Sequence, residues 1–246
     1  MTDIQPICDE PALLVDDALV IGDLHIGLET HLRKKGVNIL SRTADMLDRI
    51  LDLSEQADRL VVLGDVKDSV PGSSKQEFSE IPSFFDRLCD SFSEVCIIRG
   101  NHDTDIESFV PGRVSIRPAT GAVIDGTGMI HGHTWPSAEV MGCDTLVMAH
   151  NHPSVLFIDG IGRRTTEPCW IRGRFRNGCQ CNRYTKLPTR FIVVPAFNPL
   201  LGGSPVNSAK DDLLGPVLNS DLVDLDSAEV YLLDGLCLGK RCDIMI

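Results

Sequence analysis

Ala18-Leu19-Val20-Ile21-Gly22-Asp23-Leu24-His25 is a short apolar run that stops at a glycine and is followed by a carboxylate and an imidazole two residues apart. A run of this length bounded by glycine reads as a buried strand. On a strand, residues i and i+2 point to the same side, so Asp23 and His25 at its end can grip one cation together. The pattern recurs down the chain. Leu60-Val61-Val62-Leu63 leads into Gly64-Asp65-Val66-Lys67-Asp68, and Val95-Cys96-Ile97-Ile98 leads to Gly100-Asn101-His102-Asp103. Further on, Gly128-Met129-Ile130 precedes His131-Gly132-His133, and Leu146-Val147-Met148 precedes Ala149-His150-Asn151-His152.

Helical patterns separate the first three runs. Residues 37–53 place Val37, Leu40, Ala44, Leu47 and Leu51 at helical spacing, and residues 83–92 present Phe84, Phe85 and Leu88 as an apolar face. Strand, helix, strand, helix, strand predicts a parallel sheet, in which ligands collect at the carboxyl ends of the strands. Shorter strands follow near residues 114–116, 121–124, 128–130, 146–148, 155–158, 191–194 and 228–233. The expected fold is α/β, a two-sheet β-sandwich flanked by helices, as one domain over residues 1–246. Within it, residues 162–190 read as a basic, cysteine-containing insertion, and 200–222, rich in Gly, Pro, Asn and Ser, as a long surface loop.

Asp65 follows a buried strand and can bridge two cations with one carboxylate, the arrangement that clamps both sides of a phosphoryl transfer. Asn101 offers a neutral oxygen, and His131, His150 and His152 offer imidazole nitrogens. This donor mixture suits Mn, Fe, Zn or Co better than Ca, and no cysteine stands in the motifs. Gly-Asp pairs also serve plain turns, but four of the seven histidines fall in two H-x-H pairs at strand ends. His31 reads as a surface residue and Lys67 as a solvated lysine.

The net charge of -12 argues against a general nucleic-acid coat. Residues 163–190, however, carry Arg163, Arg164, Arg172, Arg174, Arg176, Arg183, Lys186 and Arg190 against Glu167 alone. That segment is either a solvated loop or a contact for substrate or partner. The nine cysteines are an odd number, and the acidic N-terminus lacks the basic start of a signal peptide, so reduced thiols and a cytoplasmic location are expected. Cys8, Cys89, Cys96 and Cys143 read as buried thiols. Cys169, Cys179 and Cys181 read as loop thiols, with a structural zinc as the weaker alternative because no fourth ligand is evident. No apolar run reaches membrane-spanning length.

The series D-x-H, G-D-x-x-D, G-N-H-D, H and H-x-H over residues 23–152 resembles the calcineurin-like metallophosphoesterase superfamily. Ala149 stands where that family usually has glycine, and His131-Gly132-His133 offers two candidates for one ligand; His131, directly after the strand, is preferred, with His133 behind it or facing substrate. Gly22-Asp23-Leu24-His25-Ile26-Gly27 with Glu29 and Gly36, Pro136, Pro153, Pro195-Ala196-Phe197-Asn198-Pro199-Leu200, Gly202-Gly203 and Val206-Asn207 are similar to archaeal SbcD-related phosphoesterases and to bacterial DNA-ligase-associated metallophosphoesterases. The resemblance implies a hydrolase with two divalent cations, Mn²⁺ foremost and Fe, Zn, Co or Ni as alternatives. One would be held by Asp23, His25, Asp65 and His152, the other by Asp65, Asn101, His131 and His150. It implies His102 as general acid or phosphate hydrogen-bond donor, Asp103 orienting it, and Asp68 holding a ligand histidine. The expected activity is hydrolysis of a phosphodiester by a water activated between the metals. A nuclease or DNA-repair accessory acting on single-stranded nucleic acid, with Arg172, Arg174 and Arg176 toward substrate, is the alternative. A non-catalytic interaction module on the same fold is the reading from another class. The expected partners are a phosphate-ester substrate and, in the alternative, nucleic acid or a DNA-repair protein, with no membrane.

Overall fold

The computed structural model describes residues 2–176, 182–208 and 213–246. The first sheet has six strands in chain order: β1 (Ile4–Pro6), β2 (Leu13–Val15), β3 (Ala18–Ile21), β4 (Arg59–Val62), β5 (Glu94–Ile98) and β6 (Ser115–Arg117). From β3 to β6 every pairing is parallel. Helices α1 (Leu28–Lys34), α2 (Thr43–Leu53) and α3 (Lys75–Ser91) lie in the connections.

The second sheet holds β7 (Ala122–Ile124), β8 (Thr127–Ile130), β9 (Thr145–Met148), β10 (Pro153–Ile158), β11 (Arg164–Phe175), β12 (Arg190–Val193), β13 (Ser204–Pro205), β14 (Val223–Leu232) and β15 (Cys237–Lys240). Its order is β13-β10-β11-β12-β9-β8-β7, with β14 on β11 and β15 on β14. A short helix α4 (Ala138–Met141) packs on β7 and β8.

Strand alternation builds the layers. In the β4 run, Leu60 and Val62 enter the core under the helices, while Val61 and Leu63 enter the core between the sheets. Both faces are therefore buried, which is why the run is uninterruptedly apolar. The inter-sheet core joins Leu13, Val20, Val61 and Ile98 of one sheet to Met129, Val147, Trp170 and Ile192 of the other.

Three expectations change. The helix expected over 37–53 begins at Thr43, and its buried stripe is Met46, Ile50 and Leu53, with Leu47 and Leu51 at the margin; Val37 and Leu40 are exposed. The basic segment is not a loop throughout: residues 164–175 form β11, where Cys169, Ile171 and Phe175 enter the outer core and Trp170 the inner one. The stretch 200–222 is not simply surface, because Val206, Leu213, Val217, Leu218 and Leu222 are buried. Among the thiols, Cys96 and Cys169 are buried and Cys8 is exposed; Cys179 and Cys181 lie outside the described residues. No helix among the described residues is long and apolar enough to cross a membrane.

Candidate metal centre

The chemistry-bearing motifs leave the carboxyl ends of β3, β4 and β5 in one sheet and of β8 and β9 in the other, so the two sheets meet at one edge around the site. Asp23 and His25 lie beyond β3 rather than on it, and they converge by a different geometry from strand alternation. Asp23, His25, Asp65, His150 and His152 all have left-handed backbones, with φ of 58°, 41°, 50°, 70° and 42°. Such residues cost on the order of 1 kcal/mol or more each and persist only where surroundings hold them. Here His25 N donates to Asp65 O at 2.8 Å, and Asp23 N donates to Gly64 O at 3.1 Å.

Among the described residues three donor groups result, one of them His25, Asp68 and His102. The other two are Asp23, His25 and His152, and Asp65, His131 and His150; in each, the donor atoms lie within 4.8 Å of one another. Asp65 Oδ2 sits between them, 3.4 Å from His25 Nε2 and 3.3 Å from His131 Nε2. Asn101 Oδ1 lies 3.1 Å from His131 Nε2, and His150 Nδ1 lies 3.0 Å from the same nitrogen. Of His131 and His133, His131 is fully buried, and its Nδ1 hydrogen-bonds Leu63 O at 2.7 Å, which turns Nε2 into the cluster. His133 stands beside it, ring centroid 5.3 Å away.

Asp68 Oδ1 is 3.3 Å from His25 Nδ1, the position that orients a ligand imidazole. His102 is not held by Asp103. Its Nδ1 meets the carbonyl oxygen of Asp68 at 2.6 Å, and its ring stands edge-on to His25 at 4.8 Å. Asp103 is buried and accepts from the backbone N–H of Gly100 and Val66, both at 2.8 Å. Lys67 is buried, its Nζ donating to Gly72 O at 2.9 Å and Ser73 Oγ at 3.0 Å. The structure does not bring Arg172, Arg174 and Arg176 to this cluster. Arg172 and Arg174 pair with Ile192 and Arg190, and Arg190 pairs with Thr145 where β9 begins, whereas the histidines follow where β9 ends.

Two contributors were not anticipated. Glu77 completes a capping box at the start of α3 with Ser74, and its Oε1 accepts from Asp68 N at 3.0 Å and Ser69 N at 2.7 Å, anchoring the loop after β4. The Ser74-x-x-Glu77 spacing was the available signal. His31 Nδ1 lies 3.7 Å from Asp68 Oδ2 at the site's margin, which nothing in the sequence marked.

The profile of the family described as calcineurin-like phosphoesterase matches residues 18–232, a span that contains every donor above. The chain belongs to the calcineurin-like phosphoesterase family. No curated protein sequence matches it. Among solved structures it is similar to the nuclease MPE of Pseudomonas putida, at 18% identity and a TM-score of 0.55, covering 96% of this chain and 100% of that one. A likeness at 18% identity and a TM-score of 0.40 to Yfce, a phosphoesterase from E. coli, covers 91% of this chain and 97% of that one. Within the family's pattern, the departure at Ala149 has a local cause. A Cβ on Gly22 would lie 2.8 Å from that of Ala149, so the bare Gly22 makes room for the methyl.

The residues of the cluster fit divalent cations on their own chemistry. Asp23 Oδ1, His25 Nε2 and His152 Nε2 are buried and make no aligned hydrogen bond, although His152 Nε2 approaches Asp23 Oδ1 to 3.3 Å and His25 Nε2 approaches Asp65 Oδ2 to 3.4 Å. Buried polar atoms left this way are costly unless something else satisfies them. The charges tell the same story. Burial pushes His25 and His131 down, but the Asp65 and Asp23 carboxylates, joined by Asp68 at His25, overcome it and raise them to about 10 and about 9. Burial also opposes the charge of Asp65, yet His131 and His25 hold its carboxyl far below the usual range. Burial and the neighbouring His131 lower His150 to about 4.

Proposed function

We propose that this protein is a phosphodiesterase that works with two divalent cations, Mn²⁺ foremost. The observation that carries the reading is Asp65 Oδ2, set at nearly equal distances between His25 of one donor group and His131 of another. Asp23, His25, Asp65 and His152 would hold one cation, and Asp65, Asn101, His131 and His150 the other. Bound there, such cations supply Lewis acidity toward phosphoryl oxygens and toward water. The chain's own part is positioning. The hydrogen bond to a carbonyl requires a proton on His102 Nδ1, so Nε2 is the nitrogen that would face the leaving-group oxygen, donating to it only when the ring carries a second proton there. Asp68 orients His25, and Asp103 and Glu77 hold the loops that carry Asp65 and Asp68.

The test is hydrolysis of bis-p-nitrophenyl phosphate beside p-nitrophenyl phosphate after loading with Mn, Fe, Co, Ni or Zn. Turnover of the diester at the higher kcat/KM supports the proposal. No turnover with any of these metals would sink it.

The likeness in fold to the Pseudomonas putida nuclease favours a second reading, cleavage of single-stranded nucleic acid, with a DNA-repair protein as partner. Arg33, Lys34 and Lys35 lie exposed in and just after α1, which follows the first motif, and supply positive charge on that side. A nuclease gripping phosphates this way loses affinity steeply with salt. Salt-independent binding of oligothymidylate, or none at all, would exclude it.

A further inference from the structure

We infer that the cavity beside His152 is a subsite for an uncharged planar ring carried on one ester arm of the substrate, a nucleobase being the class that fits; this rests on the phosphodiesterase reading. The cavity measures about 290 Å³, close to the roughly 300 Å³ at which small-molecule sites begin. His152 forms part of its wall, so whatever occupies it abuts the donor group of Asp23, His25 and His152. Pro168, Pro199 and Leu201 supply apolar surface, and among the described residues no Asp, Glu, Lys or Arg lines it. A second phosphate would find no cation among these residues, whereas a flat neutral ring gains from leaving water.

The cavity also offers a hydrogen bond. Ser154 is 2% exposed, lines the wall, and its Oγ has no partner. A buried hydroxyl in that state suits the ring carbonyl or amide of a base rather than a plain hydrocarbon. The wall is tied to the metal-binding loops. Asn198 Nδ2 donates to Leu24 O at 2.8 Å, Phe197 N donates to Gly22 O at 2.9 Å, and Ser204 N donates to His152 O at 2.8 Å. The subsite is therefore held in fixed register with the site of phosphoryl chemistry.

Gly202 gives a direct test. It lines the cavity, is exposed, and a Cβ added there meets nothing within 4 Å, so a large side chain is accommodated at the cavity wall without a backbone clash. Saturation-transfer NMR on metal-free protein with free thymidine should show transfer to the base protons in wild type and lose it in Gly202→Phe. With metal-loaded enzyme, kcat/KM for thymidine 5′-(p-nitrophenyl phosphate) should exceed that for methyl p-nitrophenyl phosphate by roughly tenfold or more. Gly202→Phe should collapse this ratio, and Ser154→Ala, which keeps the cavity's shape, should reduce it through KM. No transfer from thymidine, or equal kcat/KM for the two esters in wild type, overturns the subsite. If thymidine binds but neither ester is hydrolysed with any metal, the subsite stands and the phosphodiesterase reading fails instead. Cleavage of dithymidine phosphate alongside the mononucleotide ester would place the base at a strand end, and cleavage of the ester alone would place it on a small nucleotide.

Discussion

The carboxylate of Asp103 accepts a hydrogen bond from the backbone N–H of Val66 at 2.8 Å, joining the loop after β5 to the loop after β4. Its other oxygen accepts from Gly100 N at 2.8 Å, and Lys67 N approaches at 3.4 Å. Asp103 therefore sets the separation of Asp65 and Asn101 rather than the orientation of His102. Asp103→Ala strands buried N–H groups and should cost roughly 2–4 kcal/mol, read from urea denaturation of metal-free protein. A loss below about 0.5 kcal/mol, typical of an uninvolved surface position, would refute this role.

The same two loops touch at their glycines. A Cβ on Gly64, whose φ is +77°, would meet Gly100 N at 2.6 Å, and one on Gly100 would meet Asp65 N at 2.3 Å. Backbone atoms cannot yield as a flexible side-chain end does. Gly100→Ala should displace Asp65 and weaken metal binding by about 10- to 100-fold, the scale seen when groups orienting metal ligands are lost. Elemental analysis of dialysed protein would register fewer metals per chain. Gly112→Ala is the matched control, since an added Cβ there meets nothing within 4 Å.

Much of this centre was legible because strands buried on both faces leave continuous apolar runs, and the residues ending those runs are the donors. The pairing of Asp23 with His25 was legible for an incomplete reason: i and i+2 do converge, but through left-handed backbones that no residue pattern outside glycine announces. Periodicity also left the rotation of α2 open, since Leu40, Leu47 and Leu51 share helical spacing with Thr43, Met46, Ile50 and Leu53, and only packing decides. Strand β11 was hidden by its arginines. Arg172 is held as a cation over Tyr231, so a basic residue occupies a place where alternation leads one to expect an apolar one. The role of Asp103 was hidden because a capping carboxylate and a catalytic one are the same letter.

With Arg174 level with Thr145 where β9 begins, and the Arg172 guanidinium held over Tyr231 of β14, the basic segment separates from the chemistry. Replacing Arg172, Arg174 and Arg176 together by Ala should leave kcat/KM for bis-p-nitrophenyl phosphate within about twofold, the range of changes far from a site. A larger loss without a matching drop in Tm would show that these arginines reach the substrate.

Proton release on metal binding tests the electrostatics of the centre directly. His25 and His131, at about 10 and about 9, are protonated at neutral pH in the metal-free protein, while His150, at about 4, is already neutral. Cations bind imidazole only in its neutral form, so loading should expel about two protons per chain near pH 7. A pH-stat titration with Mn²⁺ in unbuffered salt reads this number, and release near zero would contradict the arrangement. The same shifts govern stability. Both histidines lie above the roughly 6.5 of an unfolded chain, so their contribution is full below that pH and disappears as pH rises through 9 to 10. Asp65 is depressed, so its contribution is present above about 3.9 and is lost as pH falls below that value. The Tm of chelator-treated protein should therefore decline between about pH 6.5 and 10, whereas metal-loaded protein, whose cations replace those protons, should hold its Tm across the same interval.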